Sequence, residues 1–367
     1  MEKQLTIAVG AHANSLSWRN KKLTWGEFVD KLRETTRTSE TLAEYQVMTK
    51  KERARIKDVG GYVGGHVKGG KRKLANIAFR TLLTLDIDYA TMGFFDDFAF
   101  TFENVAAVVH ATHTHTDASP RLRLIIPLSR NVSIDEYEAI ARRVAADLDI
   151  NQFDPTTFEP QRLMYWPSTP ADLEYYFKEQ KGEPLDADAI LSSYVDWRDV
   201  TEWPSNDRQE KRLRTEIKKL GDPRDKKGLV GIFCRKYDIH DAIELFIPTK
   251  YERINDSRYT YTEGTTAGGM VVYDDIFAYS HHSTDPCSGK LVNAYDLVRI
   301  HLFGHLDDGE EDMQKSNSAM IEHLQNDEVL MVANYEQRVN AARNDFEQFT
   351  ETQEIEEEDL SWSKDLE

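Results

Sequence analysis

Cysteine is almost missing: Cys234 and Cys287 are the two in 367 residues. So few exclude a disulfide scaffold and a four-cysteine zinc site, and they suit a reducing cytosol. Long apolar runs are missing too. None approaches the roughly 18 residues of a membrane span, so no membrane partner is expected. The N-terminal stretch Met-Glu-Lys-Gln-Leu-Thr-Ile-Ala-Val lacks a signal-peptide layout and reads as a first strand. No Gly-x-x-x-x-Gly-Lys-Ser/Thr pattern occurs, which removes a P-loop nucleotide site. Net positive charge is absent as well: the formal balance is -18. On average, that disfavours a polyanionic partner.

The average hides an asymmetry. Residues 1–85 carry 17 Lys and Arg against 8 Asp and Glu, while residues 306–367 carry 4 against 19. Charges on the tail are screened beyond about 8 Å at physiological salt. A basic face near the front can therefore meet phosphates on an acidic chain. With 40% hydrophobic and 30% charged residues, the composition is that of a folded protein of two or three domains.

Apolar patterning predicts a strand over 4–9, then helices over 25–34 and 38–56 with Thr24 and Ser39 as N-caps. Residues 59–70 hold six glycines in twelve positions, followed by Lys71, Arg72 and Lys73. That composition predicts a loop or bulged hairpin, bordered by cations including Lys68, with two readings: a contact for a phosphate chain, or a turn before the next strand. Strands are expected over 78–88, 104–112, 121–128 and 162–167. A helix over 133–148 opens with the capping box Ser133 to Glu136. Residues 196–227 read as a linker or linker helix. Residues 228–305 carry their own pattern, with helices over 229–245 and 293–303 around strands near 258–263 and 269–279. The acidic end, 306–367, is helical in pattern, with Glu354–Asp359 expected to be disordered. The fold class expected is α+β, with helices on one face of a sheet.

Three signals carry chemistry. Asp86-Ile-Asp88 closes an apolar strand, so both carboxylates share one face and Ile87 takes the other. Paired carboxylates at that spacing suit hard divalent cations such as Mg²⁺ or Mn²⁺. Next comes Thr112-His113-Thr114-His115-Thr116, followed by Arg121 and Arg123 on one strand face. Histidines and arginines there would neutralise a triphosphate. Asp154 then precedes Arg162, which opens a further strand. Each signal also has a structural reading: a strand leaving into solvent, a polar turn, an Asp-Pro turn start. Around His281, His282, Asp285 and Asp296, a turn with satisfied histidines is the expected reading over a metal site.

Taken in order, these motifs resemble the archaeo-eukaryotic primase superfamily, which carries an Asp-x-Asp strand, a Ser-x-His strand and a later lone Asp. The matching residues are Asp86-Ile-Asp88, Ala111-Thr-His113 and Asp154. Phrases such as Leu85-Asp-Ile-Asp-Tyr-Ala, Pro120-Arg-Leu-Arg-Leu-Ile-Ile-Pro-Leu and Arg162-Leu-Met-Tyr-Trp-Pro-Ser are similar to prophage primases found beside virulence-associated protein E helicases. The resemblance covers roughly residues 1–305.

It implies a primase–polymerase of a phage or mobile element, joining dNTPs or NTPs on a single-stranded DNA template, with a replicative helicase as partner. Asp86, Asp88 and Asp154 would be the metal ligands, and His113 or His115 would contact nucleotide phosphates, with Ala111 standing where the family has Ser. Arg121, Arg123 and Arg162 would sit near the triphosphate, and Lys68, Lys71, Arg72 and Lys73 near DNA. The implied architecture is an RRM-like catalytic sheet with an N-terminal α/β module over 1–195. A linker (196–227), a smaller α/β accessory domain (228–305) and an acidic tail (306–367) would follow. Two alternatives remain: a non-catalytic single-stranded DNA-binding protein, and an HUH-type nicking endonuclease using His113, His115 and Tyr165.

Overall fold

A computed structural model describes residues 3–307, 313–328, 330–340 and 342–343. The chain divides into two compact units. The first comprises residues 1–215, 264–269 and 281–284; the second comprises 216–263, 270–280 and 285–367.

The first unit starts with β1 (Gln4–Gly10), β2 (Arg19–Thr24), α1 (Trp25–Arg33), β3 (Thr36–Arg37), α2 (Leu42–Val47), α3 (Lys50–Ile56), β4 (Gly61–Val63) and β5 (Gly65–Val67). It continues with β6 (Ile77–Ile87), α4 (Phe94–Thr101), β7 (Ala107–Ala111), β8 (Leu122–Val132), α5 (Ile134–Asp147), β9 (Met164–Tyr165), β10 (Ser168–Thr169), β11 (Phe177–Gln180) and α6 (Ala187–Leu191). Helix α7 (Asp207–Leu220) follows.

Two antiparallel sheets organise this unit, in the orders β2-β1-β4-β9 and β11-β7-β8-β6-β5; β3 and β10 form a short parallel pair. The five-stranded sheet separates two kinds of contact by the period-2 alternation of its strands. Leu83, Leu85 and Ile87 of β6 and Leu122, Leu124 and Ile126 of β8 pack with Phe94 and Phe98 of α4 and Ile140 and Val144 of α5. On the opposite face, Leu82, Val108 and Ile125 pack with Leu5 and Ile7 of β1 and with Phe28 and Leu32 of α1. Only part of that face is so covered, and the charged ends of the strands lie beyond.

The mixed helix-and-sheet class agrees with the sequence reading, and several element boundaries are corrected. The helix expected over 38–56 is two, α2 and α3. Thr41 and Thr49, not Ser39, are the caps, each closing a capping box with the Glu three residues on. The glycine-rich span 59–70 is more ordered than expected. It supplies β4 to one sheet and β5 to the other. Its glycines permit close backbone approach: a Cβ on Gly65 would lie 2.2 Å from the Phe79 carbonyl oxygen, and one on Gly61 2.5 Å from that of Met164.

The strand expected over 162–167 breaks at Pro167, which has no N–H to donate. The chain thus leaves β9, paired with β4, for β10, paired with β3. In the span 196–227, Val200 and Trp203 are buried in the core of the first unit, and Asp207–Leu220 is helical.

The second unit contains α8 (Gly228–Lys236), α9 (Ile239–Phe246), β12 (Tyr251–Asn255), β13 (Arg258–Tyr261), β14 (Met270–Tyr273), β15 (Phe277–Ser280), β16 (Leu291–Asn293), α10 (Ala294–Phe303) and α11 (Gln314–Leu324). Its strands form one antiparallel sheet in sequence order. The helix expected over 229–245 is interrupted by Asp238, which caps α9 with Asp241 in a box. Glu354–Asp359 lies outside the described residues. No helix among the described residues is long and apolar enough to cross a membrane.

Arg80 ties several of these pieces together. It is fully buried, and its guanidinium donates to the carbonyls of Gly64 (3.0 Å), Pro160 (2.5 Å) and Leu82 (3.2 Å) and to Thr84 Oγ1 (2.9 Å). It also lies 4.0 Å from the centre of the Tyr137 ring. Arg80→Met should leave the Pro160 carbonyl without this donor in a dry interior, while the Gly64 carbonyl keeps the Thr81 and Leu82 N–H groups, and destabilise the first unit by about 1–3 kcal/mol. A urea-midpoint shift of that size checks it.

Candidate active site

Strand register builds the site. Asp86 of β6 stands opposite Arg123 of β8, and Arg123 stands opposite His110 of β7. The three side chains therefore form a row across one sheet face. Just past the end of β6, Asp88 lines the same cavity, and Arg121 meets it at 3.4 Å. Asp154 arrives from a turn docked on β6: its N–H donates to the Asp86 carbonyl (3.0 Å), and the Asp86 N–H donates to Thr157 Oγ1 (2.7 Å). The Asp-Pro turn expected from the sequence is present, with Thr156 donating its N–H to Asp154 Oδ1 at 2.9 Å.

Each acid has its own arginine. Arg123 Nε donates to Asp86 Oδ1 at 2.8 Å, Arg121 reaches Asp88, and Arg162 donates to Asp154 Oδ2 at 2.7 Å. Arg162 also lies 3.9 Å from Asp86 Oδ2. These six residues line a cavity of about 780 Å³. Burial raises the Asp88 carboxyl above its ordinary range; Arg121 opposes the rise, and Asp86 and Asp154 add to it.

The other sequence candidates fall in different places. His113 lines the cavity but is buried, and both ring nitrogens are engaged: Nδ1 with Ser168 Oγ at 2.9 Å and Nε2 with Glu40 Oε1 at 3.0 Å. Burial holds its pKa below the usual histidine value despite Glu40. His115 is absent from the lining. Its Nδ1 accepts the Arg121 N–H at 3.2 Å, which fixes the turn before β8. The two rings thus take separate partners, which does not favour a shared metal of the HUH type.

Among the cations, Arg72 reaches the cavity wall and donates to the Gln161 carbonyl at 3.1 Å, whereas Lys68, Lys71 and Lys73 are exposed outside it.

Sequence reasoning missed His110. It was read as part of an apolar strand, yet it lines the cavity next to Arg123. Its Nδ1 sits 2.9 Å from the Ala111 carbonyl, so it carries the proton, and its buried Nε2 has no partner. A buried acceptor left open on a cavity floor marks a place for water or a ligand donor. Also missed was Lys57 in the same wall, its ammonium 5.3 Å from the centre of the ring of Tyr165, the tyrosine of the nicking alternative. The signal available was spacing: Lys50, Arg53 and Lys57 recur on one helical face.

In the second unit, Asp285, Cys287 and His301 are the one group among the described residues with donor atoms within 4.8 Å of each other. They form a hydrogen-bonded knot. Tyr251 Oη donates to Asp285 Oδ2 (2.7 Å) and lies 2.7 Å from His301 Nε2, and Cys287 N–H donates to Asp285 Oδ1 (2.8 Å). His282, in the first unit, is fully buried between Thr266 Oγ1 (2.7 Å) and the Gly269 N–H (3.0 Å), so its ring is fixed from both sides.

Residues 1–206 match the family described as VapE N-terminal domain. Two solved structures are similar at low scores. One is the AEP domain of the cyanophage S-2L primase-polymerase, 12% identical over 52% of this chain and 88% of that one, with a TM-score of 0.30. The other is the primase RepB', 10% identical over 67% of this chain and 71% of that one, with a TM-score of 0.29. No curated protein matched the sequence.

Burial and the neighbouring Arg123 depress the His110 pKa from 6.5 to about 3. A histidine shifted this way favours the folded state fully above its unfolded pKa, and that contribution is lost as pH falls toward the folded value. In the metal-free protein, His110→Gln should therefore flatten the fall of Tm between pH 6.5 and pH 4 relative to wild type. Parallel curves would count against the buried neutral ring.

Proposed function

The chain belongs to the VapE N-terminal domain family, and on that premise we propose that it is a metal-dependent primase–polymerase joining nucleotides on a single-stranded DNA template. The observation that carries this reading is three carboxylates, each on its own arginine, around one cavity. A pure binder of phosphates gains nothing from acids there, because they repel its ligand. A nucleotidyltransferase needs both: acids for cations and arginines for the triphosphate.

The donor type suits a hard divalent cation, Mg²⁺ or Mn²⁺, since all three side chains are carboxylates lining one cavity; each is paired with an arginine here, and the three oxygens would have to close to within 4.8 Å of one another to share an ion. Asp86, Asp88 and Asp154 would hold it. Bound there, such a cation would lower the pKa of an attacking 3′-hydroxyl and balance charge on the departing pyrophosphate.

The chain's own groups do the rest. Arg121, Arg123 and Arg162 would exchange their carboxylate partners for phosphate oxygens, keeping charge-assisted bonds throughout. Arg123 is held in place meanwhile by the Tyr165 carbonyl at 2.7 Å. His110 Nε2 would accept a hydrogen bond from the substrate side. His113, fixed by Glu40 and Ser168, would position the wall rather than touch phosphate, with His115 supporting Arg121.

The β6-α4-β7-β8-α5 run, with β7-β8-β6 adjacent, supports an RRM-like catalytic core; β11 lies on the β7 edge and β5 beside β6, which departs from the RRM order. Residues 228–305 would serve as an accessory domain, and Lys68, Lys71 and Lys73 as peripheral DNA contacts. A replicative helicase is the partner this role calls for.

Incubation with a primed single-stranded template, dNTPs or NTPs and Mg²⁺ or Mn²⁺ tests the reading. Wild type should extend the primer, and Asp86→Ala/Asp88→Ala should lose more than about a hundredfold of that rate, since losing a group that only supports a metal ligand already costs about 10–100-fold. Equal extension by the variant would overturn the site.

A further inference from the structure

Helix α3 presents Lys50, Arg53, Ala54 and the C-capping Lys57 to the cavity. Their spacing of i, i+3, i+4 and i+7 is one helical face. Lys57 keeps helical backbone angles, φ -73 and ψ -11, so the face is continuous. At 1.5 Å per residue its cations run over about 10 Å. Glu52, the acid of this helix, is turned to Thr49 in the capping box and leaves the face wholly cationic.

None of the ion pairs among the described residues includes Lys50, Arg53 or Lys57. Arg53 and Lys57 are nevertheless half-buried, and burial lowers the Lys57 pKa. The charges of Asp86 and Asp88 reach Lys57 without forming an ion pair, so these cations keep room for an anion brought by a ligand. The contrast with the floor is sharp, where each arginine is already matched to an acid.

We infer that the Lys50–Arg53–Lys57 face of α3, with Tyr165 beside it, is the track for the sugar–phosphate backbone of single-stranded DNA entering the catalytic cavity. The inference rests on the primase–polymerase reading for what the strand does there, but not for whether it binds. Three features favour a strand over the triphosphate. The stripe is longer than a triphosphate needs, and it starts at Lys57, whose charge interacts with Asp86 and Asp88, and runs seven residues back to Lys50. It also pairs cations with an aromatic ring on one wall, the combination that holds single strands without reading sequence. The triphosphate has Arg121, Arg123 and Arg162 at the floor. The glycine-rich loop, the other cationic candidate, keeps Lys68, Lys71 and Lys73 outside the cavity.

The test uses the full chain and a fluorescein-labelled oligodeoxythymidine, without metal or nucleotide, with anisotropy read across a salt series. Each phosphate contact contributes about 0.7 to the slope of log affinity against log salt for a single strand. Lys50→Gln/Arg53→Gln should lower the slope by about 1.4 and weaken binding, with an unchanged circular dichroism spectrum and Tm. A Lys68→Gln/Lys71→Gln/Lys73→Gln variant should change the slope less. Binding of a fluorescent dATP analogue with Mg²⁺ should be unaffected by the double variant.

An unchanged slope, or wild type that fails to bind the oligonucleotide at low salt, overturns the track. Loss of nucleotide binding with the DNA slope intact reassigns the face to the triphosphate and also overturns it. If the slope falls as expected while wild type extends no primer under any condition, the track stands and the primase–polymerase reading fails.

Discussion

A guanidinium covered by a sheet and its neighbouring module must find acceptors before it can remain charged. Arg123 finds two, Asp86 on the adjacent strand and the Tyr165 carbonyl across the cavity. That arrangement fixes much of the rest. It joins β8 to the segment carrying β9, it gives Asp86 a counter-charge, and it sets His110, whose ring burial keeps neutral, beside a cation that adds to that effect. The same logic repeats outward, with decreasing burial, at Arg162–Asp154 and Arg121–Asp88. The site is thus a graded series of acid–arginine pairs. The pairs nearest solvent are screened and the least costly to separate.

Stability and chemistry meet in the two faces of β6. The face packed against α4 and α5 is apolar without a break through Leu83, Leu85 and Ile87. A slip by one residue would bury Asp86 and Asp88 and expose those three, so register is strongly enforced. On the other face, Leu82 packs with the N-terminal module, Thr84 bonds Arg80, and only then do the acids begin. The strand therefore passes from core to site within a few residues. Arg80 and the Thr157 hydroxyl hold the Asp154 turn against it from the open edge.

The cavity's two kinds of cation differ in what surrounds them. The arginines of the floor are each paired with an acid; the cations on α3 form no ion pair and lie on a short helix held by a capping box. Paired arginines give a positioned floor, and unpaired cations give attraction. A chain of net charge -18 can still attract a polyanion this way, because the unpaired cations are gathered on one wall while the tail's acids are screened within a Debye length.

Alternation along 78–88 was enough to place Asp86 and Asp88 together on one face, and the Ser133 to Glu136 box was enough to start α5, because both are local rules of backbone geometry. The capping boxes at Thr41 and Thr49 were equally legible and show why one expected helix is two. Local rules stop there. That His110 stands in the row with Arg123 and Asp86, that His113 is occupied by Glu40 and Ser168, and that Asp154 docks on Asp86 all depend on strand pairing and on contacts between residues 40 to 80 positions apart. Sequence determined which residues are able to do chemistry and which face of a strand or helix they occupy. Tertiary structure decided which of them meet and which are already satisfied, because hydrogen-bond partners and desolvation exist only once distant segments are packed together.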